Sequence, residues 1–449
     1  MKMKLTRLVR HRLWLVSLVT ASALGCGNDV LAERDAIVVS PGTLVEPDAA
    51  PPPEMDSDVV IDGTDSPAFD WYPCNGNTDG YDAVVKKIED RWRVTSGETS
   101  VWIGADMITA VQEAYATLDQ DRDYKQSVLV MGDGTIPADT RSLRIPSYTV
   151  FNMCGTINVV GKAPAGDWAA IYVRPGSHID IPNIRITGTP KYGMFFRSVS
   201  HLHIGKAVLD LEPESGLGIR IDNNPPSEPD GRVNEIVIDR VSVSYSGGHG
   251  VETYGVDGLT IGEFIGDHTA NAGLLLNNSV NVQIGSVVCN ECAYLSTYAA
   301  FRVANSNGKI GDDWPAGNVH VGSVYARGGG RGIFSVSASG GLTIDTIDLG
   351  DHDNTPILLQ NAYNTTIAAS SGTVSSGDTA ESLRIVLSNA STNTGAGNNY
   401  ATSYNVTLQN LTLRDGVYIK EDYCDFEGQG DRNNRVTNIT GGTVDMCYE

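Results

Sequence analysis

The chain has 449 residues and carries 54 aspartates and glutamates against 32 lysines and arginines, which gives a formal net charge of −22. A surface this acidic lacks the usual electrostatic basis of nucleic-acid binding, so no nucleic-acid partner is expected. The length allows one large repetitive domain with additional segments at its ends.

The N-terminus has the pattern of an export signal. Basic residues precede the apolar stretch 13–24, which is too short to span a bilayer. The stretch ends in Ala23-Leu24-Gly25-Cys26, which resembles a bacterial lipobox. We therefore predict a signal peptide over residues 1–26 with Cys26 as the lipidation site, and an exported outer-membrane or cell-surface lipoprotein that meets the membrane only through this anchor. Ordinary cleavage and release as an extracellular protein is the alternative.

Two segments separate this signal from the main domain. Residues 27–68 contain a proline run, many acidic residues and little periodicity, and we predict a disordered tether. Residues 69–127 form a predicted N-terminal capping segment with a short helix over 79–90 and a better one over 103–118. An amphipathic helix of this kind closes the open end of a repetitive β-domain. Its predicted buried stripe is Met107, Ala110, Val111, Ala114 and Leu118.

A short pattern then repeats seven times along the chain. Each copy has an opening strand, a polar turn and a second strand, with apolar residues at period two. A unit this short cannot bury its apolar face alone, so the copies are expected to stack as coils of an all-β solenoid, a parallel β-helix over residues 128–370. Residues 371–449 are predicted to be irregular C-terminal coils and a cap. The copies open at Gly193, Gly218, Gly250, Gly273, Ala300, Gly332 and Pro356.

The cysteines fit an oxidising compartment, since six remain if the first one carries lipid. We predict the pairs Cys424–Cys447 and Cys74–Cys154. Cys289 and Cys292 form a lone C-x-x-C, for which a local disulfide or buried cysteines are favoured over a zinc or redox site because no second pair is present.

The entry to the repeats carries a family resemblance. A helix is followed by a strand ending in Gly134-Thr135, then by Leu143-Arg-Ile-Pro-Ser and Gly155-Thr-Ile. This order resembles the pectin lyase-like superfamily over roughly residues 100–370. The resemblance implies a right-handed parallel β-helix with an N-terminal capping α-helix, and a site on the outer surface of the opening-strand sheet. It does not specify the reaction, because the superfamily includes lyases, hydrolases, epimerases and adhesins.

Alignment of the opening strands predicts which side chains face outward. The position after each glycine is always apolar and must face the core, so the next position faces solvent. This places Arg220 beside Glu252, with Asp222 and Tyr254 alongside, and Arg302 two coils further on. An ordinary cross-strand ion pair is the alternative explanation of the charges. Apolar and aromatic residues at other outward positions favour a sugar-binding groove instead.

The candidate residues follow from these columns and from one insertion. Two insertions, 225–231 and 308–317, lie where they would wall the groove, and the second supplies a tryptophan for sugar stacking. The candidates for catalysis are Arg220, Glu252, His249, Arg302, Asp222 and Tyr254. The candidates for substrate binding are Arg197, Tyr192, Asn277, Arg331 and Trp314. The asparagine column Asn223, Asn278, Asn305 and Asn361 is interpreted as structural.

The first functional hypothesis is a polysaccharide lyase acting on a uronic-acid polymer. Arg220 and Arg302 would neutralise the uronate, and His249 or Tyr254 would act as base or acid. In related lyases an arginine can itself be the base, a role open to Arg220. Asp222 and Glu252 would orient the arginines or bind Ca²⁺, the one cofactor considered. The alternatives are a glycoside hydrolase that uses the same two carboxylates as its acid–base pair, and a non-catalytic glycan-binding lipoprotein or adhesin.

Overall fold

The computed structural model describes residues 76–449 except for 140, 164–165, 224–230, 389–402, 425–431 and 448–449. The predicted signal peptide, the tether, Cys26 and most of the 225–231 insertion lie outside the described residues. Within the described ranges, no helix is both long enough and apolar enough to cross a bilayer.

The described chain begins with three antiparallel strands, β1 (Ala83–Ile88), β2 (Arg91–Ser96) and β3 (Thr99–Gly104). The predicted helix over 79–90 is therefore wrong. Ala83 and Val85 are buried while Val84 between them is less so, which is the alternation of a strand. β1 also pairs in parallel with β4 (Gln126–Met131). Pairing on both sides favours the β-branched valines over the weak helical spacing.

The second predicted helix is present as α1 (Met107–Ala116). Asp106 caps it, because its side chain accepts a hydrogen bond from the Thr109 backbone N–H. All five residues of the predicted stripe are buried, and the helix packs against β1, β2 and β3. The predicted amphipathic helix over 103–118 is confirmed, with shorter ends than expected.

Two long sheets follow, and from β8 onward the chain passes almost regularly between them. The smaller sheet has 11 strands, all parallel, in the order of the chain. Its strands are β8 (Ile171–Val173), β10 (Tyr192–Arg197), β12 (Leu217–Asp222), β14 (Val251–Tyr254), β16 (Leu274–Asn277), β18 (Ala299–Ala304), β20 (Arg331–Ser335), β23 (Ile357–Gln360), β25 (Arg384–Ser388), β27 (Tyr418–Asp422) and β29 (Val444–Asp445).

The larger sheet has 18 strands and is parallel beyond the first three. Its further strands are β5 (Gly134–Pro137), β6 (Thr149–Cys154), β7 (Thr156–Val160), β9 (Gly176–Gly188), β11 (Val199–Leu211), β13 (Val233–Ser244), β15 (Val256–Asp267), β17 (Val280–Asn290), β19 (Val319–Arg327), β21 (Ser339–Gly340), β22 (Leu342–Gly350), β24 (Ala362–Val374), β26 (Tyr404–Leu413) and β28 (Arg435–Thr440). The described chain is thus all-β with long parallel sheets, an arrangement consistent with a solenoid.

The core lies between the sheets and contains the residues that follow each repeat glycine. All seven are fully buried, as predicted: Met194, Ile219, Val251, Leu274, Phe301, Ile333 and Ile357.

Close stacking of the coils explains why four consecutive repeats open with glycine. A Cβ atom on Gly193, Gly218, Gly250 or Gly273 would lie 2.3–2.8 Å from the carbonyl oxygen of the equivalent residue in the next coil. Real side chains do not approach a carbonyl oxygen so closely, so glycine allows the coils to stack at strand spacing.

Cysteines and asparagines occupy structural positions. Cys289 pairs with Cys292 inside the core, and Cys424 pairs with Cys447. Cys154 is also disulfide-bonded, while its predicted partner Cys74 lies outside the described residues. Three of the four residues in the asparagine column have positive φ, which asparagine tolerates better than most residues. These three are Asn278, Asn305 and Asn361.

Candidate functional site

The outward side chains of the 11-stranded sheet form one continuous column, which we call the outer strip. Strand pairing aligns Arg220 with Glu252, Glu252 with Leu275, and Leu275 with Arg302. The predicted register is therefore confirmed across these coils. From β8 to β23 the strip runs Tyr172, Phe195, Arg220, Glu252, Leu275, Arg302, Phe334 and Leu358.

Four charged residues near the start of the strip form an ion-paired cluster: Arg197, Arg220, Asp222 and Glu252. Asp222 is fully buried and accepts hydrogen bonds from Arg197 Nε and Nη2 at 2.8 and 2.9 Å. Arg220 Nε donates to the same carboxylate at 2.9 Å, and its Nη1 donates to Glu252 at 2.9 Å. Asn277 Nδ2 donates to the other Glu252 oxygen at 3.2 Å. Each carboxylate is therefore held by side chains on neighbouring strands.

This pairing limits what the cluster can do chemically. Burial alone would lower the pKa of Arg220, but Glu252 and Asp222 outweigh it and the pKa is raised. Hydrogen bonding to Asp222 likewise raises the pKa of Arg197. The raised pKa keeps Arg220 positively charged and disfavours the base role considered for it. Glu252 differs, because burial raises the pKa of its carboxyl despite the opposing charge of Arg220.

The predicted Ca²⁺ site does not fit these residues. Both oxygens of Asp222 and both oxygens of Glu252 already accept hydrogen bonds. Calcium needs six to eight oxygen ligands. The described residues contain no group of three or more histidine, cysteine or acidic side chains placed to hold a metal ion. The arginines take the position that a cation would occupy.

Aromatic rings flank the ion-paired cluster at the start of the strip. Phe195 stacks on Tyr172 with ring centres 5.2 Å apart, and Tyr192 lies 4.9 Å from Phe195. The Arg197 guanidinium lies 4.6 Å from the centre of the Phe195 ring. Phe195 is nevertheless fully buried and Tyr172 nearly so, and of these three rings Tyr192 alone is partly exposed. The expectation that these outward aromatic residues face solvent is therefore wrong, because the rings pack against one another and beneath the arginines.

His249 is held by a backbone hydrogen bond to one of its two ring nitrogens. Its Nδ1 accepts a hydrogen bond from the Ala272 backbone N–H at 3.1 Å, which assigns the ring proton to Nε2. Burial, together with the nearby Arg302 and Arg220, lowers its pKa to about 4. Of the two roles considered for His249, base or acid, this arrangement disfavours the base, because the Nδ1 lone pair already accepts a hydrogen bond. The ring can still donate a hydrogen bond from Nε2 to a ligand.

Arg302 has no ion-pair partner, which distinguishes it from the arginines of the cluster. Its guanidinium carbon lies 4.0 Å from the centre of the Tyr298 ring and 5.3 Å from that of Phe334. Its Nε is buried without a hydrogen-bond partner, and no acidic side chain of the described residues lies within ion-pair distance. Burial lowers its pKa. An anion brought by a ligand would supply the missing counter-charge.

Tyr298 connects His249 with Arg302, and the sequence columns missed this role. The rings of His249 and Tyr298 stack with centres 5.7 Å apart. Tyr298 precedes β18 and comes from the turn that leads into it, so strand alternation does not predict its direction. The signal available in the sequence was an aromatic residue next to the small outward residues Ala299 and Ala272, both of which leave room for a ring.

Two other candidates lie differently from expectation. Trp314 is not on the outer strip, because it packs against Tyr363 of the larger sheet with ring centres 4.3 Å apart. Its Nε1 donates to the Ala338 carbonyl oxygen at 2.8 Å, so the predicted sugar platform is a packed side chain. Tyr254 pairs in register with Asp222 and is half-buried.

A cleft of about 1160 Å³ lies at the turns before β10 and β12. Its lining includes Lys191, Glu212 and Glu214 but no residue of the outer strip. Lys191 Nζ donates to the carbonyl oxygen of Gly166. The chemically distinctive groups of the described chain therefore lie on the strip rather than in this cleft.

Comparison of the chain with protein-family models, with curated proteins and with solved structures gave no match. The functional argument therefore depends on the geometry of the outer strip.

Proposed function

We propose that this chain is a carbohydrate-active protein that binds a uronic-acid-containing polysaccharide along the outer strip and cleaves it by β-elimination. The single observation that carries this proposal is Arg302, a half-buried guanidinium with no carboxylate partner among the described residues, held against two aromatic rings. A uronate carboxylate is the complementary group. As fold, we propose the right-handed parallel β-helix, which the long parallel sheets and the coil-by-coil register support.

Elimination begins at the carbon next to the uronate carboxylate. Arg302 binds that carboxylate, and this makes the adjacent C–H more acidic because the developing negative charge is stabilised. His249 donates a further hydrogen bond from Nε2 to the same charge. Neutral histidine suits this role, since it donates without holding a competing counter-ion.

Two other side chains move protons in the proposed reaction. Glu252, whose pKa is raised by burial, removes the proton, and each of its oxygens keeps a lone pair beyond the one hydrogen bond it accepts. The released electron pair forms the carbon–carbon double bond, and the bond to the leaving glycosidic oxygen breaks. The Tyr298 hydroxyl gives its proton to that oxygen, and exchange with solvent restores both side chains.

The test is to incubate the purified chain with a panel of uronate and neutral polysaccharides. Ultraviolet absorbance of the unsaturated uronate product and new reducing ends are measured together. Cleavage of a uronate polymer with both signals is expected, and Arg302→Ala should lower kcat/KM by at least about 100-fold. The matched control is Arg327→Ala, because Arg327 is paired with Asp348 at 2.9 Å on the larger sheet. Reducing ends without absorbance would overturn elimination.

A non-catalytic glycan-binding protein is the second candidate. It is favoured by one observation, that Asp222 and the His249 Nδ1 are already hydrogen-bonded and leave few free bases on the strip. Binding of a polysaccharide without any rise in absorbance or in reducing ends would establish it. The hydrolase alternative is disfavoured, because Asp222 is fully buried between two arginines and cannot serve as one of two catalytic carboxyls.

We also propose that the protein is exported and held at a membrane by lipid on Cys26. The support is the N-terminal sequence alone. Wild-type protein expressed in a bacterium with lipoprotein processing should sediment with membranes, and Cys26→Ser should move it to the soluble fraction. Soluble wild-type protein would contradict the lipid anchor and favour plain secretion.

A further inference from the structure

Arg331 lies against the same aromatic ring as Arg302, on the next strand of the sheet. The guanidinium carbons of Arg331 and Arg302 lie 5.0 and 5.3 Å from the centre of the Phe334 ring. They can therefore be no further apart than the sum of these two distances. Strand pairing sets Ala299 opposite Arg331 and Arg302 opposite Phe334, so the two arginines are diagonal neighbours. We call Arg302 and Arg331 the arginine pair.

The arginine pair lacks the carboxylate partners that the ion-paired arginines of both sheets possess. Arg197, Arg220 and Arg327 each contact a carboxylate within 3 Å. Nε and Nη1 of Arg331 are buried without a partner, as is Nε of Arg302. Burial, with a second contribution from Arg302, lowers the pKa of Arg331 to about 10. Two like charges are thus held close together in partly desolvated surroundings, which is unfavourable unless anions neutralise them.

One monovalent anion would leave one of these charges uncompensated. We propose that the arginine pair takes two anionic groups, so that the preferred substrate carries negative charge on neighbouring sugars, as carboxylates of consecutive uronates or as a uronate next to a sulfate ester. This inference uses the proposed function only in placing an acidic glycan on the outer strip. Arg302 binds the uronate at the reacting position, and Arg331 binds the charge on the adjoining sugar.

The negative net charge of the chain bears on how the arginine pair can bind an anionic glycan. A protein with a net charge of −22 repels polyanions at long range. Unpaired arginines at one place on the strip therefore have to act at short range, through direct contact with anionic oxygens. Binding through them is expected to weaken as salt is added, because partly exposed charges are screened.

The experiment measures equilibrium binding of three fluorescently labelled oligosaccharides to the full chain. Oligogalacturonate carries a carboxylate on every sugar, a hyaluronan oligosaccharide alternates uronate with a neutral sugar, and a chondroitin sulfate oligosaccharide alternates uronate with a sulfated sugar. We expect tighter binding of one or both of the densely charged probes than of hyaluronan. Whichever probe is preferred identifies carboxylate or sulfate as the second group.

The decisive variant is Arg331→Gln, which keeps much of the side-chain volume and removes the charge. It should lower affinity for the preferred probe by about tenfold, as expected for the loss of one charge-assisted contact, and change hyaluronan affinity by less than about twofold. Arg327→Gln, on the other sheet, should change neither. An equal loss for all three probes, or no loss for any, would overturn the inference. Arg331→Lys, with thermal melting of each variant, separates loss of charge from loss of folding.

Binding and cleavage are read separately, so the two proposals fail separately. Charge-selective binding that depends on Arg331, with no elimination of any probe, would refute the lyase and leave this inference standing. Elimination that does not depend on Arg331 or on the charge density of the probe would support the lyase and refute this inference.

Discussion

Arg197 and Asp222 form a two-point ion pair, with hydrogen bonds of 2.8 and 2.9 Å, in which the carboxylate is fully buried. Removal of a buried charge from such a pair leaves its partners uncompensated. Asp222→Asn is therefore expected to lower the free energy of unfolding by about 3 kcal/mol, measured by urea denaturation. Asp348→Asn, which breaks the more exposed pair with Arg327, should cost less than about 1 kcal/mol. Equal losses in the two variants would contradict the structural importance of the cluster.

The glycine of the third repeat should be hard to replace. A Cβ on Gly250 would lie 2.7 Å from the Gly273 carbonyl oxygen and 2.8 Å from the Phe264 ring. Gly250→Ala should lower the free energy of unfolding by about 2 kcal/mol or more because the coils must separate. Ala300→Gly is the control at the repeat copy that already has a side chain, and should cost about 1 kcal/mol. A harmless Gly250→Ala would show that the coils are less closely stacked than described.

His352 should make the protein less stable in acid. The ring is fully buried, its Nδ1–H donates to the Gly328 carbonyl oxygen at 2.7 Å, and its Nε2 has no partner in the described structure. Burial lowers its pKa to about 4. The unfolded chain, with an ordinary histidine pKa near 6.5, binds the proton first. Stability is therefore complete above about pH 6.5 and falls as pH drops towards 4, by about 3 kcal/mol for this residue.

Chemical denaturation at a series of pH values tests this expectation. His352→Leu should flatten the decline between pH 6.5 and 4 by roughly half, since His249 has the same lowered pKa and contributes the remainder. His320→Gln is the control, because His320 lies at the surface beside Asp345. An unchanged slope in His352→Leu would mean that the buried ring is not the source.

The hydroxyl of Tyr298 should matter for chemistry and little for folding. Tyr298→Phe keeps the ring that stacks on His249 and underlies Arg302. Its free energy of unfolding should change by less than about 1 kcal/mol. If elimination is established, its kcat should fall by about 100-fold, the usual contribution of a positioned proton donor. Full activity in Tyr298→Phe would assign the leaving-group proton to another source.

Sequence periodicity predicted the repeated architecture well because strand alternation is a local property. The core column beginning with Met194 and the outward pair Arg220–Glu252 both follow from the repeat alone. The same reasoning failed where contacts with residues distant in the sequence determine the secondary structure or the burial of a residue. Within the predicted helix 79–90, Ala83–Ile88 form a strand because β2 and β4 pair with it, and Trp314 is buried because Tyr363 lies beside it.

The sequence predicted which residues of the site share a surface, but not their ion pairs or hydrogen bonds. Alternation brought Asp222, Glu252 and Arg302 onto one surface, but did not predict which charges would be paired. Pairing depends on side-chain reach across neighbouring strands, and for His249 on a backbone N–H from the next coil. These contacts leave His249 Nε2 as the hydrogen-bond donor of the ring and give Asp222 and Glu252 an arginine partner each.

In the outer strip, Leu275 lies between Glu252 and Arg302, so a single coil separates the carboxylate from the arginine. In a stack of similar coils, the order of the coils thus decides the electrostatics of the surface as much as the residues themselves do. Without the intervening coil, Arg302 would face Glu252 directly and become another satisfied ion pair. A change as simple as the loss or duplication of one repeat can therefore switch a surface between self-neutralised and open to an anion, while the core beneath it keeps the same pattern.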